Sequence, residues 1–160
     1  VADLMTGMYA TQAVLAALFH RERTGRGQHI DCALLDVQVA MLANMNTNYL
    51  ASGEPPRRWG NAHPNLVPYQ TFKAADGWII VAVGNDAQFA RLCQVGGRPE
   101  LAADPRFITN RGRVVERDAL VPLLAEMIAA RPAAEWIESL EAAGVPCGPI
   151  QDLEQVFRTP

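Results

Sequence analysis

Two short stretches carry residues whose types and spacing suit chemistry. The first is Ala2-Asp3-Leu4-Met5-Thr6-Gly7-Met8, where one acid, Asp3, stands in front of a long apolar run. A carboxylate there can cap a helix, and from position alone that is the commoner role, since Asp is among the best N-caps. It can also act as a nucleophile, kept ionised by the positive end of a helix dipole and flanked by N–H groups that can meet an oxyanion. The second stretch is Gly60-Asn61-Ala62-His63, followed by Pro64. It lies in residues 53–68, which hold four prolines and two glycines without useful periodicity. A segment of that length reads either as a linker between units or as a loop over a site.

The remaining reactive types point to structure. His20 falls near a helix end and His29 on the solvent side of an extended stretch; Asp31, Asp36 and Asp86 suit caps or surface. The three cysteines, Cys32, Cys93 and Cys147, form no CxxC pair, so neither a zinc site nor a disulfide framework is expected. Cys147 has no neighbour in sequence that would lower its pKa, and an inert thiol is the reading. Trp59, Trp78 and Trp136 suit packing, and the Arg57-Arg58 pair suits solvent, although it could meet a phosphate.

The elements that must position these residues follow from periodicity. Residues 4–19 are apolar on nearly every side and predict a buried helix behind Asp3, with Arg21 and Arg23 near its end and Gly25 and Gly27 stopping it. The run is short and carries Thr6, Thr11 and Gln12, which argues against a membrane span. Residues 28–33 alternate as a short strand, and a second apolar helix is expected over 34–50. Beyond the proline-rich segment, two strands around Asp76-Gly77 predict a hairpin. A helix with Phe89, Leu92 and Cys93 on one face comes next, then an irregular stretch over 103–112. A helix capped at Asp118 should bury Leu120, Leu124, Met127 and Ile128. Another, opened by Pro132 and closed by Gly144, should bury Trp136, Ile137 and Leu140. An extended return follows at 145–150.

The chain has 160 residues, is 49% hydrophobic and 19% charged, and carries a net charge of −3, a globular composition with no general attraction to nucleic acid. No secretory leader pattern is visible and the thiols suit a reducing compartment, so a cytoplasmic protein is expected. Two nearly all-apolar helices in the first fifty residues cannot bury themselves. The chain is therefore expected to be a piece of a larger fold, or to oligomerise.

At this point the sequence is identified as resembling a known family. The Asp3-Leu4-Met5-Thr6-Gly7-Met8 start, HRERTGRGQHIDCALLD, GNAHPNLVPYQTFKAADGWIIVAVGNDAQFARLC, ADPRF, TNRGRV and GVPCGPI are similar, in order, to class III CoA-transferases of the carnitine and formyl-CoA transferase type. The resemblance implies a fragment of a Rossmann-like large domain (helix–strand–helix, residues 1–52) and a linker or active-site loop (53–68). A small two-layer α+β domain (69–150) and the start of a return linker (151–160) follow, so the class is α/β with α+β. It implies an interlocked homodimer, small-molecule acyl-CoA and carboxylate substrates, coenzyme A as substrate rather than a resident cofactor, no metal, and no nucleic-acid or membrane partner.

Asp3 matches the family's catalytic nucleophile, which forms aspartyl anhydride and aspartyl-CoA intermediates; Ala2 stands where a glycine is frequent. Gly60, Asn61, Ala62 and His63 match a substrate-binding stretch. There His63-Pro64-Asn65-Leu66-Val67 replaces a glycine-rich loop, which argues against formyl or oxalyl specificity and for a differently shaped acyl pocket. Residues that hold the CoA nucleotide are unknown, the family's N-terminal part being absent. Two other functions compete. An α-methylacyl-CoA racemase on the same fold also matches at Asp3, but its catalytic Glu has no counterpart in Val83-Gly84-Asn85-Asp86-Ala87-Gln88. The chain by itself could also be an incomplete unit with only a structural or interaction role.

Overall fold

The computed structural model describes residues 1–158. It divides into two compact units, Val1–Arg58 and Trp59–Pro160. Positions 159 and 160, which end the expected return linker, lie outside the described residues.

The first unit is helical, with α1 (Ala2–Thr24), α2 (Leu34–Ala40) and α3 (Asn44–Ser52). The long apolar run has no proline to interrupt it, so α1 is continuous. It ends at Gly25, whose φ of 70° only glycine adopts without strain, and whose N–H donates to Arg21 O at 2.8 Å. No residue of α1 is buried; Leu4 is 76% and Phe19 60% exposed. α2 packs along one side of α1, where Ala10, Ala13 and Ala17 are half-buried, and most of the remaining apolar surface of α1 is exposed.

Two expectations in this unit are corrected. The strand over 28–33 does not form: a strand exists only as half of a ladder, and no partner strand lies beside this stretch among the described residues. The expected helix over 34–50 is two helices. Asn46 Nδ2 donates to Val39 O at 2.6 Å, taking a carbonyl that a continuous helix would use, and Ala43 turns to a φ of 41°.

The second unit is a small α+β layer pair. Strands β1 (Tyr69–Lys73), β2 (Trp78–Ala82) and β3 (Cys147–Pro149) form an antiparallel sheet in the order β1-β2-β3. Phe72 pairs with Ile79 and Lys73 with Trp78, the register set by the turn at Ala74–Gly77. Period-two alternation buries Ile79 and Val81 and leaves Trp78 in solvent. The helices follow as α4 (Asp86–Val95), α5 (Pro99–Ala103), α6 (Asn110–Val115), α7 (Arg117–Ala129), α8 (Ala133–Ala142) and α9 (Leu153–Arg158). They bury Phe89, Leu92 and Cys93 from α4, Leu120, Leu124, Met127 and Ile128 from α7, and Trp136 and Leu140 from α8 against the sheet. Ile137 packs on this core but keeps some exposure.

Local chemistry explains where these helices differ from expectation. The stretch over 103–112 is not wholly irregular: Thr109 Oγ1 accepts from Gly112 N at 3.2 Å and starts α6. α7 begins at Arg117 with Glu116 at its cap, because Glu116 also closes α6; Asp118 lies one residue inside. Pro132 takes the cap position of α8 rather than its first turn. The capping acceptor comes from the hairpin turn, where Asp76 Oδ1 receives Ala133 N at 2.7 Å.

Candidate functional site

Each unit carries one of the two stretches singled out above. In the first, the helix starts one residue before Asp3. Val1 holds the cap position with no side-chain cap bond, and Asp3 is an exposed acid of the first turn. Among the described residues no hydrogen bond or ion pair ties its carboxylate down. Asp3 therefore does not do the work of an N-cap here. It is an exposed carboxyl group in the first turn of a 23-residue helix, at the end where the dipole is positive. Thr6, one turn further, is turned inward on the helix and donates its hydroxyl to Ala2 O at 2.8 Å.

In the second unit, Gly60-Asn61-Ala62-His63 runs along the open edge of β1. Gly60 has a φ of 63°, and Ala62 N closes a turn on Trp59 O at 3.1 Å. The chain then covers the edge strand. His63 N donates to Tyr69 O at 2.9 Å, and Thr71 N donates to Asn61 Oδ1 at 3.1 Å. Asn61 thus has a structural task at its oxygen. Asn61 also lines a shallow groove with Thr71, Trp78 and Ile150.

His63 is held on both sides of its ring. It stacks on Tyr69 at 5.3 Å and 18°, and its Nδ1 accepts Asn65 N–H at 3.1 Å. A neutral imidazole that accepts at Nδ1 carries its proton on Nε2, so Nε2–H is the donor that remains. The chain after His63 is gripped by three side chains from α6 and α7. Arg117 Nη2 donates to His63 O at 2.7 Å and Pro64 O at 2.9 Å. Asn110 Nδ2 donates to Asn65 O at 2.8 Å, and its Oδ1 accepts Val67 N at 3.2 Å. Arg113 Nε donates to Val67 O at 2.7 Å, next to the cis Val67–Pro68 bond. Sequence reading passed over these three. The block TNRGRV was noted for its likeness, yet nothing in it says that Asn110 and Arg113 turn toward a segment more than forty positions away.

Asp86 is an exposed acid, as expected, and it also serves two partners on another element. Its Oδ1 accepts Arg113 Nη2 at 2.8 Å and Asn110 N at 2.8 Å, while the cap of α4 is Asn85, which accepts Gln88 N at 2.9 Å. Committed in this way, Asp86 is poorly placed to serve as a free base. Two of the thiols are quiet: burial pushes Cys93 up to about 12, and burial with help from Glu141 raises Cys147, whose Sγ lies 3.7 Å from Ile137 O. Among the described residues no three of His, Cys, Asp and Glu gather to hold a metal ion, and no helix is long and apolar enough to cross a membrane.

Comparison with known proteins places the chain in a family. The sequence pattern described as CoA-transferase family III matches residues 1–160. The chain is 48% identical over 160 residues to the succinate–glutarate CoA-transferase of Agrobacterium fabrum, covering all of this chain and 40% of that protein. It is 42% identical over 158 residues to the succinyl-CoA:glutarate CoA-transferase of Homo sapiens, covering 99% of this chain and 36% of that one. A solved CAIB/BAIF family protein from Brucella suis is 49% identical with a TM-score of 0.78, over 99% of this chain and 42% of the other. A Mycobacterium tuberculosis protein is 32% identical with a TM-score of 0.84, over 100% and 42%. The chain belongs to CoA-transferase family III. It spans about 40% of the length of the curated relatives it matches.

Proposed function

We propose that the whole protein transfers coenzyme A between an acyl-CoA donor and a carboxylic acid, with Asp3 as nucleophile. The observation that carries this reading is the exposed, uncommitted carboxylate of Asp3 in the first turn of α1, in a chain that belongs to CoA-transferase family III. The names of the Agrobacterium and human relatives support short dicarboxylates as the acids exchanged.

The chemistry needs an anion and no proton transfer. A carboxylate oxygen of Asp3 attacks the thioester carbonyl, the C–S bond breaks, and the CoA thiolate leaves an aspartyl–acyl anhydride. The thiolate attacks the aspartyl carbonyl, releases the first acid and leaves an aspartyl–CoA thioester. The acceptor carboxylate attacks that thioester and expels the thiolate, giving a second anhydride. Attack of the thiolate on the acceptor's carbonyl then yields the new acyl-CoA and restores Asp3. Each step exchanges one carboxylate or thiolate for another, which splits a difficult transfer into easier ones. The helix N-terminus favours the attacking anion by about 0.3–1 kcal/mol at an exposed position.

In this reading residues 1–52 are part of the Rossmann-like large domain, 53–68 link it to the small domain of 69–150, and 151–160 lead back. The division into compact units after Arg58 supports a linker there. Gly60, Asn61, Ala62 and His63 shape the acyl side of the site, with Nε2–H of His63 as a donor for an acyl or acceptor carboxylate. The whole protein works as a cytoplasmic homodimer, with coenzyme A passing through as substrate.

The test is turnover by the full-length protein. Succinyl-CoA with glutarate should give glutaryl-CoA and succinate in equal amounts. No CoA exchange with any acid, together with solvent deuterium entering the α-carbon of a branched acyl-CoA, contradicts the proposal and makes the protein a racemase.

A further inference from the structure

The residue that fixes the position of His63 is on another element. Arg117, the first residue of α7, is 7% exposed, and a buried guanidinium is costly unless its hydrogens are taken up. Its Nη2 meets two successive peptide carbonyls, those of His63 and Pro64, and its guanidinium carbon lies 4.9 Å from the centre of the Trp59 ring. These contacts fall on both ends of the Gly60–His63 stretch. Two consecutive peptide planes held by one nitrogen leave the His63 backbone little rotation. The ring direction then follows from that backbone, from the Tyr69 stack and from the Asn65 N–H. Further along, Asn110 and Arg113 hold Asn65 and Val67, so the chain is gripped independently beyond Pro64.

We infer that Arg117 is a positioning residue for acyl-group selectivity, acting through residues 59–64 to set where Nε2 of His63 stands. The inference rests on the reading of Gly60–His63 as the acyl side of a CoA-transferase site. A cation is suited to this task because it can donate twice from one atom without an acceptor of its own. Arginine adds a flat face for Trp59, which lysine lacks.

The test compares full-length wild type with Arg117→Met and Arg117→Lys. Trp136→Phe serves as a control that removes a buried bond, Trp136 Nε1 to Ile128 O at 2.8 Å, far in sequence from the loop. Two readouts are taken: the ratio of kcat/KM for succinyl-CoA over acetyl-CoA, and amide hydrogen exchange across residues 59–67. In Arg117→Met the ratio should fall by about tenfold, a loss of differential transition-state binding. His63 and Asn65 amides should exchange faster while Val67 stays protected. Arg117→Lys should recover part of both, since an ammonium can still donate twice. Trp136→Phe should lower the melting temperature and leave the ratio unchanged. If Arg117→Met does not fold, the lysine variant decides by the same two readouts. An active variant with wild-type selectivity and wild-type exchange overturns the inference, as does an equal change of selectivity in Trp136→Phe. A wild type that moves CoA from no donor defeats the transferase reading itself, and with it the acyl role of the loop.

Discussion

The buried Arg113 and the half-exposed Asp86 form an ion pair at 2.8 Å, the carboxylate keeping 54% of its surface in solvent. The same carboxylate oxygen accepts Asn110 N–H, and the guanidinium donates from Nε to Val67 O and from Nη1 to Phe107 O. One acid at the start of α4 therefore joins the start of α6 to the segment before the sheet.

Asp86→Ala should destabilise by about 1–3 kcal/mol. It leaves a buried cation and the first N–H of α6 without their acceptor, but the exposed side of the carboxylate limits the loss. Arg113→Met in the same background should cost less than the sum of the two single changes, because the orphaned charge is gone. Thermal and urea unfolding of the two single variants and the double variant measure this coupling.

Gly112→Ala should be destabilising by about 1–3 kcal/mol, in the range of an overpacked site. A Cβ there would sit 2.3 Å from the backbone oxygen of Arg106, which has no soft side chain to yield. Gly27→Ala, whose Cβ would meet nothing within 4 Å, should be close to neutral in the same assay.

Alkaline stability should carry the signature of Cys93. Burial raises its pKa from 9.0 to about 12 in the folded protein, against the pull of Arg113. Between these values the unfolded chain has lost the thiol proton and the folded chain has kept it, so stability falls as pH rises. Below about pH 9 both states are protonated and the effect vanishes. Cys93→Ala should flatten the pH dependence of unfolding in that window, read by denaturant midpoints at a series of pH values.

The fold of the second unit was largely legible, because its signals are local. Asp76-Gly77 set the hairpin, alternation set Ile79 and Val81 inward, and a 3.6-residue stripe set Leu120, Leu124 and Ile128 inward. What was missed depends on distant partners. The break before α3 comes from Asn46 reaching back to Val39, with no proline or glycine to announce it. The start of α8 is capped by Asp76, 57 positions away. The stretch at 28–33 has the right alternation and lacks a neighbour to pair with. At the candidate site, the proposal of Asp3 as nucleophile rests on the ordered family blocks, since position alone reads as a helix cap. The hold of Arg117 and Asn110 on the His63 segment was not readable at all, since nothing in a linear sequence says which carbonyls a buried guanidinium will find.

The central claim is that Asp3 is the group that becomes acylated. The direct measurement is to incubate the full-length protein and its Asp3→Asn variant with succinyl-CoA, quench with hydroxylamine, and map the modified peptide by mass. The account predicts a hydroxamate on Asp3 in the wild type, none in the variant, and loss of CoA transfer by at least about a thousandfold when this nucleophile is removed. A hydroxamate on a different carboxylate, or transfer that survives in Asp3→Asn at the wild-type rate, would contradict it.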